Sequence, residues 1–120
     1  KKIDVQLNKR KIIHDTYTKE LKELDWLDTP MDLKLGVISS YYMYHIQTKD
    51  RDKLAKYLRD KGIYTTFRYY PLHWVKYFKL NKINLPNTEY AANNTLCIPL
   101  HQGLKQDNVS YIIETIKKFK

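Results

Sequence analysis

The chain has 120 residues, 42% of them hydrophobic and 29% charged, the balance of one soluble globular domain whose core at this length needs neither a disulfide framework nor a structural metal. The single cysteine, Cys97, excludes an intramolecular disulfide and fits a reducing, cytoplasmic setting, and no apolar run approaches the roughly 18 residues of a membrane span. The net charge of +9 is carried by 18 Lys and only four Arg, dispersed among acids, which reads as solvated helix faces rather than a nucleic-acid stripe.

In chain order, Leu7, Ile13, Tyr17, Leu21 and Leu24 recur at helical spacing and predict a helix from Asp4 to Leu24, with Asp28-Thr29-Pro30 marking a turn after it. Between Leu35 and Thr48 the β-branched and aromatic run VISSYYMYHIQT reads as one or two strands, with Tyr42, Tyr44 and Ile46 on one face and Tyr41, Met43 and His45 on the other. Asp50 is placed to cap a second helix over Arg51–Lys61, ended by Gly62. The segment IYTTFRYY then reads as a strand stopped by Pro71, and LHWVKYFKL as a helical turn or loop. A short helix over Asn87–Asn94 starts near Pro86, and TLCIPL is a buried strand closed by Pro99. The last helix is predicted from Val109, Ile112, Ile113, Ile116 and Phe119, with Asp107 at a capping position. The order predicts a small α/β (α+β) sandwich over residues 1–120 as a single domain. A largely antiparallel sheet of three or four strands would be covered on one face by the longer helices, and tyrosines would line the other.

Chemistry-bearing residues are few. The four histidines lie far apart and only one cysteine could help them, so no zinc spacing exists; with three glycines there is no phosphate-binding glycine loop. Cys97 in a short apolar strand reads as a buried, inert thiol. His73 stands out because it comes after Tyr69-Tyr70-Pro71-Leu72, where proline ends a strand and presents the next residues at its end. A cleft-side position is expected there, with little role in the core. The same Pro-Leu-His sequence recurs at Pro99-Leu100-His101; turn chemistry alone accounts for it about as well as a site does.

The succession of Arg51-Asp52 with Leu54, Leu58 and Gly62-Ile63, then Tyr69-Tyr70-Pro71-Leu72-His73, then Glu89, Ala91, Leu96, Pro99, Leu100 and Leu104, resembles the C-terminal part of the DegT/DnrJ/EryC1/StrS aminotransferases. Lys9, Arg10, Tyr17 and Leu21 extend the likeness through the first helix, so it covers nearly the whole chain. That resemblance implies a pyridoxal-phosphate-dependent nucleotide-sugar aminotransferase of fold type I, working in glycan biosynthesis, of which this is the small C-terminal domain. It further implies a homodimeric parent that takes a keto-sugar nucleotide and an amino-acid donor. The Schiff-base lysine and most cofactor-binding groups would then lie before residue 1, so that this piece alone holds no pyridoxal phosphate and no catalytic residue. Substrate recognition would fall to Arg68 and His73 for the diphosphate, with Tyr69 and Tyr70 stacking on sugar or base. The alternative from another class is a small basic RNA-binding or protein-interaction module with an aromatic sheet face. The scattered glycines Gly36, Gly62 and Gly103 do not supply the RNA-recognition signature.

Overall fold

The structure, a computed structural model, describes residues 1–67, 69–80 and 83–120. Helix α1 spans Lys2–Leu21, strand β1 Tyr44–Gln47, helix α2 Arg51–Asp60, helix α3 Pro86–Asn94, strand β2 Thr95–Ile98 and helix α4 Gln106–Lys117; two single 3₁₀ turns, Leu72–Trp74 and Lys76–Phe78, lie between α2 and α3. This is the mixed helix and antiparallel-sheet class that the sequence patterns predict, with fewer strands among the described residues than expected.

Strands β1 and β2 pair antiparallel, with Tyr44 opposite Ile98 and Ile46 opposite Leu96. Each side of this two-stranded ladder is extended by one isolated bridge, Asp28 to Gln47 and Thr66 to Cys97. The run expected as a strand over IYTTFRYY thus contributes one bridge pair among the described residues. The strand expected from Leu35 begins only at Tyr44, because the backbone before it turns twice through the left-handed region, at Gly36 (φ 82°) and Tyr41 (φ 46°). Of the three residues expected on one face, Tyr44 and Ile46 are fully covered while Tyr42, ahead of the ladder, is exposed.

The core forms where the helices cover one face of this ladder. Ile13, Tyr17 and Leu21 of α1 meet Leu54 and Leu58 of α2, Val109, Ile113 and Ile116 of α4, and Tyr44, Ile46 and Leu96 of the sheet. Truncating one of these aliphatic side chains to alanine costs about 2–5 kcal/mol, since it removes buried surface and leaves a cavity. Helix α1 stops at Leu21 rather than Leu24; Leu24 and Trp26 pack on the core from the turns beyond, and the Trp26 ring lies 5.4 Å from Phe119. Helix α2 ends as its glycine predicts: Gly62, at φ 75°, lets its own N–H reach Arg59 O (2.9 Å) and the Ile63 N–H reach Leu58 O (2.8 Å), while Ile63 is buried beside the helix.

The expected acidic caps are corrected in detail. Asp50 stands at the N-cap of α2 but makes no capping bond there. Its carboxylate pairs with Lys120 and Lys53, and those bonds, the Lys120 bond first, hold its pKa below the usual aspartate range. Asp107 lies inside the first turn of α4 behind the N-cap Lys105, where it complements the helix dipole without capping a backbone N–H. Among the described residues, no helix is long and apolar enough to cross a membrane.

Candidate functional site

The site is built outward from the sheet edge. Thr66 exchanges both backbone hydrogen bonds with Cys97, 3.1 and 2.9 Å, which pins the chain to β2 just before Phe67. Arg68, expected to meet a diphosphate, lies outside the described residues. Tyr69 and Tyr70 come next and are 72% and 66% exposed. Pro71, itself buried with φ −59°, then turns the chain into the first 3₁₀ turn, closed by the Trp74 N–H on Pro71 O at 3.0 Å.

This turn carries His73 inward. Only 5% of His73 is exposed, so the expectation that it has little role in packing is corrected, although its edge still borders a cleft. Its Nε2 lies 2.9 Å from Glu89 Oε1, and the same oxygen accepts the Leu85 N–H at 3.2 Å, where α3 begins. These two donors, the His73 bond first, hold the Glu89 carboxyl below its ordinary value of 4.5. An ionised carboxylate only accepts, so Nε2 carries the proton in this bond and Nδ1 is the other nitrogen of the ring. Among the described residues Nδ1 has no hydrogen-bond partner.

Two depressions flank the turn. A cleft of about 650 Å³ is lined by His73, Trp74, Lys76, Lys79, Ile83 and Glu89. On the other side, about 460 Å³ opens between Tyr69, Tyr70, Pro71 and the α3 residues Asn87, Thr88 and Ala91. Trp74 stands between them, its ring 5.6 Å from His73 and 5.7 Å from Tyr70. The combination of aromatic faces, hydroxyl and amide groups and two exposed lysines suits a polar, anionic ligand with a ring to stack. The structure brings Tyr69, Tyr70 and His73 into one turn. Sequence reading gave Glu89 only a place in a motif. The signal was the proline at the first position of α3 with an acid three residues on, a helix-start pattern that says nothing of a histidine sixteen residues earlier.

The other Pro-Leu-His turn is built differently. Tyr17 Oη donates to Pro99 O at 2.8 Å, whereas His101 is exposed and its Nδ1 accepts the Gly103 N–H at 3.2 Å. Cys97 is buried in β2. Among the described residues no group of three or more His, Cys, Asp or Glu is placed to hold a metal.

A model of the DegT/DnrJ/EryC1/StrS aminotransferase family matches residues 1–117. The chain belongs to this family. The dTDP-4-dehydro-2,3,6-trideoxy-D-glucose 4-aminotransferase of Saccharopolyspora spinosa is 32% identical over 98% of the chain and 31% of its own length. Among solved structures, the aminotransferase TlmJ from Streptoalloteichus hindustanus superposes with a TM-score of 0.91 at 39% identity, over 94% of this chain and 31% of that one. The PLP form of Spr1654 from Streptococcus pneumoniae gives 0.75 at 26% identity, over 94% and 31%. The chain thus spans about a third of the length of the family members it matches.

The family implies pyridoxal phosphate. A lysine that bonds a carbonyl must give up its proton readily, which burial or a neighbouring cation favours. Lys11 and Lys117 do not fit that role, because Asp15 raises the pKa of the first and Glu20 that of the second. No step through the cofactor is therefore derived from this chain.

Proposed function

We propose that the chain is the small C-terminal domain of a pyridoxal-phosphate-dependent aminotransferase that moves an amino group from an amino-acid donor to a keto-sugar nucleotide. Its share would be substrate recognition in a homodimeric parent of the relatives' length. The observation that carries this reading is the turn at 69–73, which holds two exposed tyrosines beside a buried histidine anchored on Glu89, with two depressions at the turn. Exposed aromatic rings are poor surface for a free-standing domain and good surface for a sugar or base. In this arrangement Tyr69 and Tyr70 stack on the ligand. The His73 ring, fixed through Nε2, borders the cleft, and Arg68 meets the diphosphate from the same segment. The dTDP-sugar chemistry of the Saccharopolyspora relative supports the choice of substrate class.

The test uses the protein in which this chain is joined to the remainder of the family length, with a dTDP-4-keto sugar as acceptor and L-glutamate as the donor probe. Mass spectrometry should show the amino sugar. Replacing both Tyr69 and Tyr70 with alanine should raise KM for the sugar nucleotide about tenfold at unchanged melting temperature, the equivalent of about 1.4 kcal/mol of lost binding. Absence of product, or wild-type KM in the double variant, would count against the reading.

A further inference from the structure

Arg51 opens α2, far in sequence from the tyrosine turn. Its side chain is only 15% exposed, an unusual place for a guanidinium unless several partners hold it. Three groups surround it. The guanidinium carbon lies 4.3 Å from the centroid of the Phe67 ring, Nη1 donates to Ala92 O at 3.2 Å, and Nε lies 2.7 Å from Asp52 Oδ1, close enough to pair charges though not aligned as a hydrogen bond. Asp52 is itself largely exposed, so it offsets the charge without fixing the geometry.

The other two partners carry the inference. Ala92 belongs to the last turn of α3, where carbonyls lack helical partners and a cation complements the dipole. Phe67 is the residue after the Thr66 bridge and two before Tyr69. At the opposite end of α3, Glu89 holds His73. The segment from Phe67 to His73 is therefore fastened to both ends of one helix, and the 460 Å³ depression lies between the fastenings.

We propose that Arg51 is a positioning residue: it clamps Phe67 to the C-terminal end of α3 and so sets the height of Tyr69 and Tyr70 over the groove. A planar guanidinium can lie flat on an aromatic face while its edge donates to a carbonyl. An ammonium is a point charge that must choose one. The side-chain type is thus part of the device, and lysine cannot replace it. The clamp stands on contacts within this chain, while its relevance to substrate rests on the proposed function of the tyrosine turn; the experiment separates the two.

Amide hydrogen exchange of this chain tests the clamp. In Arg51→Lys, the Thr66 amide, bonded to Cys97 O beside Phe67, should exchange roughly tenfold faster than in wild type, while the core amides of Ile112 and Ile113 keep their rates, the pattern of local opening. Phe67→Leu, which leaves Arg51 in place and removes the π face, should do the same. Unchanged Thr66 exchange in both variants would overturn the clamp whatever the turn binds. In the family-length protein, Arg51→Lys should raise KM for the dTDP-4-keto sugar several-fold with kcat within about twofold, a split expected for lost substrate positioning but not for general destabilisation. Faster Thr66 exchange with wild-type KM would overturn the positioning role while leaving the clamp as a fact of the fold, and the tyrosine turn as a substrate contact stands or falls with the Tyr69 and Tyr70 double variant instead.

Discussion

The same three residues, Pro-Leu-His, end two segments beside the sheet, and their histidines meet opposite fates. At Pro71-Leu72-His73 a 3₁₀ turn drives the imidazole inward onto Glu89, and the ring is almost wholly covered. At Pro99-Leu100-His101 the anchor is Tyr17, whose hydroxyl holds the proline carbonyl, and the histidine stays outside, closing a small turn onto Gly103. The tripeptide supplies a bend in both places. What lies opposite the bend decides whether the third residue is buried: a carboxylate at the start of a helix in one case, solvent in the other. A local motif thus specifies backbone direction far better than it specifies the environment of a side chain.

The largest effect that would test this contrast is His73→Ala. Loss of a buried ring bonded to a carboxylate should destabilise this chain by about 2–3 kcal/mol in denaturant unfolding. The effect also has an acid signature. Because the folded-state pKa of Glu89 is depressed, its stabilising contribution is fully present above the ordinary value of 4.5 and is lost as pH falls through the depressed value. The gap between wild type and His73→Ala should accordingly narrow on acidification below about pH 4.5, and a gap constant down to pH 2 would deny the bond its role.

Tyr17→Phe should have an intermediate effect. It deletes the hydroxyl that holds the second turn and leaves Pro99 O without that donor, while the ring stays in the core, so about 1 kcal/mol is expected from equilibrium unfolding. A loss as large as that of His73→Ala would mean that the two turns are equally dependent on one buried contact. The smallest effect belongs to His101→Ala, which removes an exposed ring and one short-range bond and should stay within about 0.5 kcal/mol of wild type. If His101→Ala and His73→Ala prove equal in stability, the contrast drawn between the turns fails.

Much of the fold was legible because helices and core positions are set by short-range periodicity. Val109, Ile112, Ile113 and Ile116 mark α4 by spacing alone, and Gly62 marks the end of α2 by the left-handed geometry it adopts. The sheet was less legible. Tyr41 and Tyr42 have strand-favouring side chains, yet the turn through positive φ at Tyr41 ends the pairing before it reaches them, and β2 offers a ladder only four residues long. Of the site, the tyrosines and the histidine were visible as a cluster in one segment. The Glu89 partner was not, because sixteen residues and the 3₁₀ turn Lys76–Phe78 separate it from His73, and no periodicity links them.

By itself the sequence determined the class of fold, the inward faces of α2 and α4, the bend at each proline and the membership of a family whose motifs recur in order along 117 residues. These depend on local sterics, on the spacing of apolar side chains and on the order of short motifs, all of which are written along the chain. Only the tertiary structure decided that one histidine is a buried anchor and its twin a surface residue, and that Arg51 reaches Phe67 and Ala92 together. Those outcomes depend on which distant groups the packed helices bring within about 3–6 Å, the range over which hydrogen bonds and cation–π contacts act.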